Sequence, residues 1–236
     1  MLKQILILFV LVFFIACSST KNISNNTFYR RGVKLTTDSG VIILRLYNKT
    51  PLHRDNFIKL VKQHYFDSVL FHRVIQNFMI QGGDPVSKKA KSGILLGNGG
   101  PKYTIPAEFD TSLFHKKGVL AAAREGDNIN PAKASSGSQF YIVQGKKFTD
   151  KGLDSVEKFR LKGRKLPLSH REIYKTLGGA PHLDMNYTVF GEVLSGLEVV
   201  DKIAATPRDS NNRPLRDIRM QMKLIKIRRE EIRKEK

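Results

Sequence analysis

Three segments of the sequence bring a permanent cation together with carboxamide and large apolar side chains. They are residues 71–84, 118–124 and 137–142. Arg73 and Gln81 lie in the first segment, with Phe78 and Met79 between them, and Gln139 lies in the third. A guanidinium stays charged at every physiological pH and presents several donors in one plane. Such a set suits a site that binds and polarises its ligand without forming a covalent bond to it.

Other kinds of site have weaker support. The turn sequence Gly82-Gly83-Asp84 lacks the lysine and the hydroxyl of a phosphate-binding loop. The six histidines show no pair at metal-ligand spacing, and a single cysteine excludes a disulfide framework and a cysteine-rich zinc site. Residues 135–138 lack the surroundings of a nucleophilic serine, and His72 is interpreted as a core histidine with satisfied hydrogen bonds. We therefore expect no metal and no cofactor.

Together with residues 182–184 and 188–191, the three segments resemble the cyclophilin family of peptidyl-prolyl cis/trans isomerases. The resemblance runs from about residue 33 to 226, and the order and spacing of four segments make it specific. It implies a mainly β fold, a closed eight-stranded antiparallel β-barrel capped by two α-helices. It also implies that the substrates are proline-containing polypeptides.

Isomerisation of the peptide bond before proline requires rotation that breaks amide resonance, with a barrier of ~18–20 kcal/mol. The nitrogen lone pair localises as the amide twists, so a nearby cation stabilises the twisted state. We expect Arg73 to be this catalytic cation, and Gln81 and Gln139 to orient it or to bond the substrate backbone. The alternatives are a surface ion pair for Arg73 and a glutamine satisfied within the core.

The residues expected to bind the substrate are Phe78, Met79, Ala123, Arg124, Gln139, Tyr141, Leu183, His182 and Tyr187. The aromatic and thioether side chains among them would line an apolar seat for the proline ring. By periodicity alone, these apolar residues would be ordinary core. The backbone at Ala123 and Arg124 resembles the family's edge that pairs with the substrate as an added strand.

Two positions depart from the family pattern. His182 stands where cyclophilins sensitive to cyclosporin usually have a tryptophan, and Tyr187 stands where many have a histidine. The tryptophan is more a drug contact than a catalytic group. We therefore expect weakened cyclosporin binding and retained isomerase activity. Arg124 and Glu125 replace smaller or neutral residues, which affects substrate preference more than activity.

The predicted elements agree with a barrel. Residues 33–47 form two alternating strands around a turn, Thr50-Pro51 begins a helix with Thr50 as its N-cap, and residues 71–80 form one strand. Further strands are predicted at residues 118–123, 138–143, 187–193 and 218–224. Many short strands without strand-helix alternation favour a closed antiparallel barrel over a parallel sheet.

A helical insertion of about residues 145–181 interrupts this order. Its helical signals are residues 155–161 and the stretch after Ser169, where Ser169 and Glu172 form a capping box and glycines after Leu177 end the helix.

The N-terminal segment is interpreted as an export signal. Lys3 precedes an apolar run over residues 5–16, twelve residues long, which is too short to span a membrane. The run ends at Cys17, the only cysteine, in a sequence that resembles a bacterial lipobox. We predict a lipoprotein signal peptide at 1–16, acylation of Cys17, a tether at 17–30, an isomerase domain at 31–227 and a basic tail at 228–236.

The charge of +20, from 41 Lys and Arg against 21 Asp and Glu, raises the question of a polyanionic partner. Export argues against nucleic acid. Anionic lipid headgroups are within reach of a tethered domain, and a solvated basic surface without a partner is the alternative. We expect a monomer in the bacterial cell envelope, anchored by its lipid and facing the periplasm, on the outer membrane in preference to the inner.

Two other functions are alternatives to that of an isomerase that assists the folding of exported proteins. One is a chaperone or assembly module that binds proline-containing segments with little turnover, and the other is a membrane-associated scaffold. Retention of Arg73, Phe78, Gln81 and Gln139 favours the isomerase. The sequence identifies neither client proteins nor the task of the insertion.

Overall fold

The computed structural model describes residues 30–227. The predictions for residues 1–16, for Cys17 and for residues 228–236 lie outside the described residues. The first strand begins at Arg30, which is the last residue assigned to the tether. The predicted domain boundaries stay predictions.

Ten strands follow one another within residues 30–227: β1 (Arg30–Thr37), β2 (Gly40–Leu46), β3 (Phe71–Ile75), β4 (Met79–Gly82), β5 (Thr104–Ile105), β6 (Val119–Ala122), β7 (Ser135–Ser136), β8 (Phe140–Val143), β9 (Val189–Ser195) and β10 (Gln221–Ile227). Eight of them form one sheet in the order β10-β1-β2-β9-β6-β8-β4-β3, and β5 pairs with β7 apart from it. All ladders are antiparallel. The prediction of eight antiparallel strands is confirmed.

The prediction of a closed barrel is not confirmed, because the sheet is an open, curled half-barrel whose edges are β10 and β3. Within residues 30–227 no ladder joins these two strands. The segments that precede them do meet, since the amide of Ser68 donates to the carbonyl of Met220 at 2.9 Å and the amide of Phe71 donates to that of Ile218 at 2.9 Å. The sheet therefore curls far enough for its ends to touch beside the edge strands.

The single strand predicted over residues 71–80 is wrong. Residues 76–78 form a turn between β3 and β4, so that the segment is a hairpin. Asn77 takes a left-handed conformation with φ 64°, which asparagine tolerates better than most residues. Its amide donates to the side chain of Gln144, which fixes the turn.

The described part of the chain also contains four α-helices: α1 (Pro51–Lys62), α2 (Asp150–Phe159), α3 (Leu168–Thr176) and α4 (Leu197–Ala204). α1 contacts β9 and β10, whereas α4 contacts β2, β3 and β4. α2 and α3 lie in the connection between β8 and β9. None of the helices in the described part of the chain has both the length and the hydropathy needed to cross a membrane.

Thr50 is the N-cap residue of α1 and Pro51 begins the helix, as predicted, but the Thr50 side chain does not cap the amides of the first turn. The carboxylate of Glu108 does so instead, accepting from the amides of Leu52 and His53 at 3.0 Å each. The capping box predicted from Ser169 and Glu172 is wrong. α3 begins at Leu168 without a side-chain cap, so Ser169 lies within the first turn of the helix.

The two faces of the sheet bury different sets of residues. The main core lies on one face and includes Leu35, Ile42, Leu44, Val74, Ile80, Leu120, Phe140 and Ile142. Alternate residues of the same strands point to the other face, where Met79 and Tyr141 pack with Leu183 in a second cluster. This second face carries the candidate site.

Candidate active site

One row of paired residues crosses four neighbouring strands. Arg73 on β3 pairs with Gln81 on β4, Gln81 pairs with Tyr141 on β8, and Tyr141 pairs with Ala121 on β6. Directly paired residues of an antiparallel ladder project from the same face of the sheet. The register therefore places a cation, an amide and an aromatic ring side by side.

A cavity of about 300 Å³ lies over this row. The predicted site residues that line it are Arg73, Phe78, Met79, Gln81, Ala123, Arg124, Tyr141, Leu183 and Tyr187. They come from segments that are far apart in the sequence, so the fold brings together most of the predicted set. Aromatic, aliphatic and thioether groups form one wall, and Arg73 and Gln81 supply polar groups.

Arg73 is held by an amide. Its Nη1 donates to Oε1 of Gln81 at 3.1 Å, and it forms no ion pair with a carboxylate among residues 30–227. The surface ion pair considered for Arg73 is therefore not formed there. Burial lowers the pKa of Arg73, yet a guanidinium remains charged at neutral pH. Its charge is available to a ligand in the cavity.

Gln139 supports this arrangement from behind. Its Oε1 accepts from Nε2 of Gln81 at 3.1 Å, and its Nε2 donates to the carbonyls of Gly97 and Gly99 at 2.7 and 2.8 Å. Of the two roles expected of Gln139, the structure favours the orientation of Arg73 over the binding of substrate, because the side chain does not line the cavity and these bonds occupy its amide. Gln139 orients Gln81, and Gln81 orients Arg73.

A further wall of the cavity was missed by the sequence analysis. Leu96, Gly97 and Asn98 line it from the connection between β4 and β5. Buried Asp84 anchors this loop, because its carboxylate accepts from the amides of Gly97 and Gly99 at 2.6 and 3.3 Å. The signal available in the sequence was the closely spaced glycines, which allow the backbone to approach a carboxylate.

His72 also lines the cavity, whereas the sequence predicts only a core histidine. It is 3% exposed, and neither ring nitrogen has a hydrogen-bond partner among the described residues. Burial lowers the pKa of His72 to about 4, so the ring is neutral at pH 7. The interpretation of a buried histidine is right, but that of satisfied hydrogen bonds is wrong.

His182 does not line the cavity, contrary to the prediction. Its ring packs against Phe78, with ring centroids 5.4 Å apart and planes at 34°. Burial, with a smaller contribution from the charge of Arg160, lowers the pKa of His182 to about 4. A neutral imidazole thus supports Phe78 from outside the cavity.

Arg124 and Tyr187 form the opposite rim. The guanidinium carbon of Arg124 lies 4.5 Å from the centroid of the Tyr187 ring, in cation–π geometry. Arg124 also pairs with Asp127 at 2.6 Å and donates to the carbonyl of Asn186 at 2.7 Å. These contacts fix both side chains in place.

Ala123 and Arg124, next to this rim, were both expected to pair with a substrate strand, but they differ in their backbone hydrogen bonds. The amide of Ala123 donates to Gln139 at 3.0 Å, and its carbonyl accepts from Ser136 at 2.8 Å. Ala123 therefore has no free backbone groups for a substrate strand, which corrects that expectation. The amide and carbonyl of Arg124 have no hydrogen-bond partner within residues 30–227, so they can pair with an extended peptide.

Comparison with known proteins identifies the family. The family model described as cyclophilin type peptidyl-prolyl cis-trans isomerase/CLD matches residues 32–223. The chain belongs to the cyclophilin family. It is a cyclophilin-type peptidyl-prolyl cis-trans isomerase.

Relatives and solved structures agree with this assignment. A Staphylococcus aureus protein named "Putative peptidyl-prolyl cis-trans isomerase" is 33% identical over 187 residues, 79% of this cyclophilin and 87% of the relative. A Streptococcus pyogenes protein named "Putative bifunctional phosphatase/peptidyl-prolyl cis-trans isomerase" is 33% identical over 189 residues. That match covers 79% of this cyclophilin and 37% of the streptococcal protein.

The fold is also that of a solved cyclophilin. A cyclophilin type peptidyl-prolyl cis-trans isomerase from Cryptosporidium parvum matches with a TM-score of 0.60 and 22% identity, covering 85% of this chain and 98% of that one. A second structure of that protein, in the presence of the dipeptide Ala-Pro, matches with a TM-score of 0.59 at 22% identity, covering 83% and 98%. At this identity the likeness shows the fold alone.

The cyclophilin also contains a serine-histidine-glutamate arrangement that serves the fold. Nε2 of His53 lies 2.8 Å from Oγ of Ser135, and Nδ1 lies 2.7 Å from Glu108. Ser135 is 1% exposed, and the small cavity beside His53 holds only about 10 Å³, which leaves no room for an acyl group. The arrangement ties α1 to β7. No metal-binding group of three or more His, Cys, Asp or Glu occurs among residues 30–227.

Proposed function

We propose that this cyclophilin isomerises peptide bonds before proline by electrostatic stabilisation of the twisted amide, with Arg73 as the catalytic cation. The observation that carries the proposal is the Arg73 guanidinium, held by Gln81 and unpaired with any carboxylate of the described residues, beside the apolar cavity wall. This places a charge next to a seat that suits a proline ring.

The reaction needs no covalent intermediate. As the amide twists, its resonance is lost and the lone pair localises on the prolyl nitrogen, where Arg73 can donate a hydrogen bond to it. The planar ground state offers no such lone pair, so the contact favours the transition state selectively. Lowering the barrier by ~6 kcal/mol would accelerate the reaction roughly 10⁴-fold.

The substrate backbone would lie along the rim. The unpaired amide and carbonyl of Arg124 offer one pair of strand-like hydrogen bonds. Phe78, Met79 and Leu183 would then surround the proline ring. The Cryptosporidium parvum protein studied with Ala-Pro supports a proline-containing peptide as the ligand class.

A cis/trans assay on a short proline peptide tests the catalytic role. We expect Arg73→Ala to lower kcat/KM by about 10²-fold or more, in line with the loss of one preorganised charge contact at a transition state. Arg73→Lys should restore only part of the rate, because an ammonium lacks the planar set of donors. A wild-type protein that binds the peptide but gives only background rates would support the binding-module alternative instead.

The cellular role is the last part of the proposal. The apolar segment at residues 5–16 and Cys17 support export and lipid anchoring in a bacterial cell envelope. There the isomerase would act on exported polypeptides whose folding is limited by proline isomerisation, which takes tens to hundreds of seconds without a catalyst.

A further inference from the structure

The insertion between β8 and β9 is a small packed unit. Its buried apolar residues are Leu153, Leu161, Leu166 and Tyr174. Arg171 of α3 pairs with Glu157 of α2 at 2.8 Å, which joins the two helices. The unit contributes no residue to the lining of the cavity.

Asp184 lies where this insertion meets the cavity wall. It is 4% exposed and directly follows Leu183, which lines the cavity. The Tyr174 hydroxyl lies 2.9 and 2.7 Å from the two carboxylate oxygens of Asp184 and donates its one proton to this carboxylate. Arg164 of the insertion donates to the main-chain carbonyl of Asp184 at 2.6 Å. Two residues of the insertion thus hold the segment that carries Leu183.

His115 continues the chain of hydrogen bonds to the cavity. It is fully buried; its amide donates to Oδ1 of Asp184 at 2.8 Å, and its Nδ1 lies 3.0 Å from the same oxygen. Its Nε2 lies 3.0 Å from the hydroxyl of Tyr141. A carboxylate only accepts hydrogen bonds, so Nδ1 donates to Asp184, and Nε2 makes the contact with the Tyr141 hydroxyl.

We propose that the insertion is a positioning element of the isomerase site, in which Tyr174 acts through Asp184 and His115 on the Tyr141 ring. This rests on the proposed function, because Tyr141 lines the cavity in which the proline ring is proposed to bind. Every member of the chain is buried. A group that loses its partner in such a network must find another or shift. A change in the insertion therefore reaches Tyr141 and the adjoining Leu183 without touching the substrate.

Tyr174→Phe in the full-length protein tests the first step, with Thr176→Val as the matched control. Both variants remove one hydroxyl from α3, but the Thr176 hydroxyl bonds only within the helix, to Glu172 and Ile173. We expect Tyr174→Phe to raise the Kd for a short Ala-Pro peptide about three- to tenfold, a typical effect within a coupled network. Thr176→Val should bind the peptide like the wild type, and kcat should change less than Kd in both.

A double-mutant cycle tests the route. Tyr141→Phe removes the hydroxyl at the other end, so the effect of Tyr174→Phe should largely vanish in that background. Arg164→Gln provides a variant at an exposed residue that cannot disturb a core, and it should weaken binding in the same direction. Additive effects of the two tyrosine variants, or wild-type binding by folded Tyr174→Phe, would overturn the proposal.

A measurement without peptide keeps this inference separate from the proposed function. The methyl resonances of Leu183 should shift in Tyr174→Phe and stay in place in Thr176→Val. If the wild type fails to bind any proline peptide, the proposed function fails, while the Leu183 resonances still report whether the insertion positions the wall. Unmoved Leu183 resonances in Tyr174→Phe would contradict the positioning role itself.

Discussion

At the scale of single residues, the neighbour of Arg73 matters as much as the arginine. Gln81 accepts one hydrogen bond from the guanidinium and carries no charge. An acidic residue at this position would orient Arg73 equally well but would neutralise its charge. The neutral amide of Gln81 therefore orients the Arg73 guanidinium without neutralising its charge.

Gln81→Glu separates these two effects. We expect it to lower kcat/KM by roughly ten- to a hundredfold, because the new carboxylate competes with the substrate for Arg73. Gln81→Ala, which removes the orienting bond but leaves the charge, should lower kcat/KM less. The measurement is the cis/trans assay on a short proline peptide. Wild-type activity in Gln81→Glu would mean that the Arg73 charge is not used.

A second prediction at this scale concerns His182. It packs on Phe78 from outside the cavity, at the position where cyclosporin-sensitive cyclophilins usually have a tryptophan. We expect weak inhibition of the wild type by cyclosporin and stronger inhibition of His182→Trp, with similar peptide turnover in both. Titration of isomerase activity with cyclosporin measures this. Tight inhibition of the wild type would contradict the prediction.

At the scale of elements, α1 depends on a residue distant in sequence. Glu108 accepts hydrogen bonds from two amides at the helix N-terminus, whereas the buried Thr50 hydroxyl has no partner among the described residues. We expect Glu108→Ala to lower the free energy of unfolding by about 1–2 kcal/mol. Thr50→Val, which keeps the shape of the side chain, should be neutral or slightly stabilising.

Urea unfolding of the two variants measures the difference. The ordinary N-cap interpretation requires the opposite ranking, with Thr50→Val the more damaging. That ranking would show that the carboxylate of Glu108 is not the effective cap.

The elements also show what the sequence could and could not reveal. Alternation of apolar and polar residues located β1 and β2, because these strands bury one face against the main core. It could not locate the turn at Asn77, since the apolar run continues through Phe78 into β4. Local patterns also gave Thr50 the role that Glu108 fills through a long-range contact.

The residues of the candidate site also fall into those that the sequence could place and those that it could not. Residues within the strand segments, such as Arg73 and Tyr141, could be placed because family motifs specify them and the register follows. The cavity wall at Leu96 could not, because it depends on a loop folded over buried Asp84. The bonding state of a backbone amide, as at Ala123, likewise depends on which segments meet in the fold.

At the scale of the whole molecule, buried neutral histidines link stability to pH. Burial lowers the pKa of His72 from 6.5 to about 4, so the unfolded chain binds more protons than the folded one between these values. The contribution of the neutral His72 ring to the free energy of unfolding is therefore fully present above about pH 6.5 and is lost as the pH falls toward 4. For His72 the loss amounts to about 3 kcal/mol.

Urea unfolding at several pH values tests this linkage. His72→Leu should show a smaller fall in the free energy of unfolding between pH 6.5 and 4 than the wild type. His64→Leu is the matched control, because His64 is exposed. Equal falls in the wild type and His72→Leu would show that the His72 ring is not the group that titrates.

We predict that the position of the molecule in the cell depends on one atom, the sulfur of Cys17. Since the chain has a single cysteine, Cys17→Ser removes the only thiol that an acyltransferase could modify. We expect the wild type, expressed in a bacterium, to incorporate labelled palmitate and Cys17→Ser to incorporate none. Acyl chains contribute ~0.8 kcal/mol per buried methylene, so the unmodified chain should lose its lipid anchor. Equal labelling of both chains would contradict acylation at Cys17, whereas isomerase activity should be the same in the two.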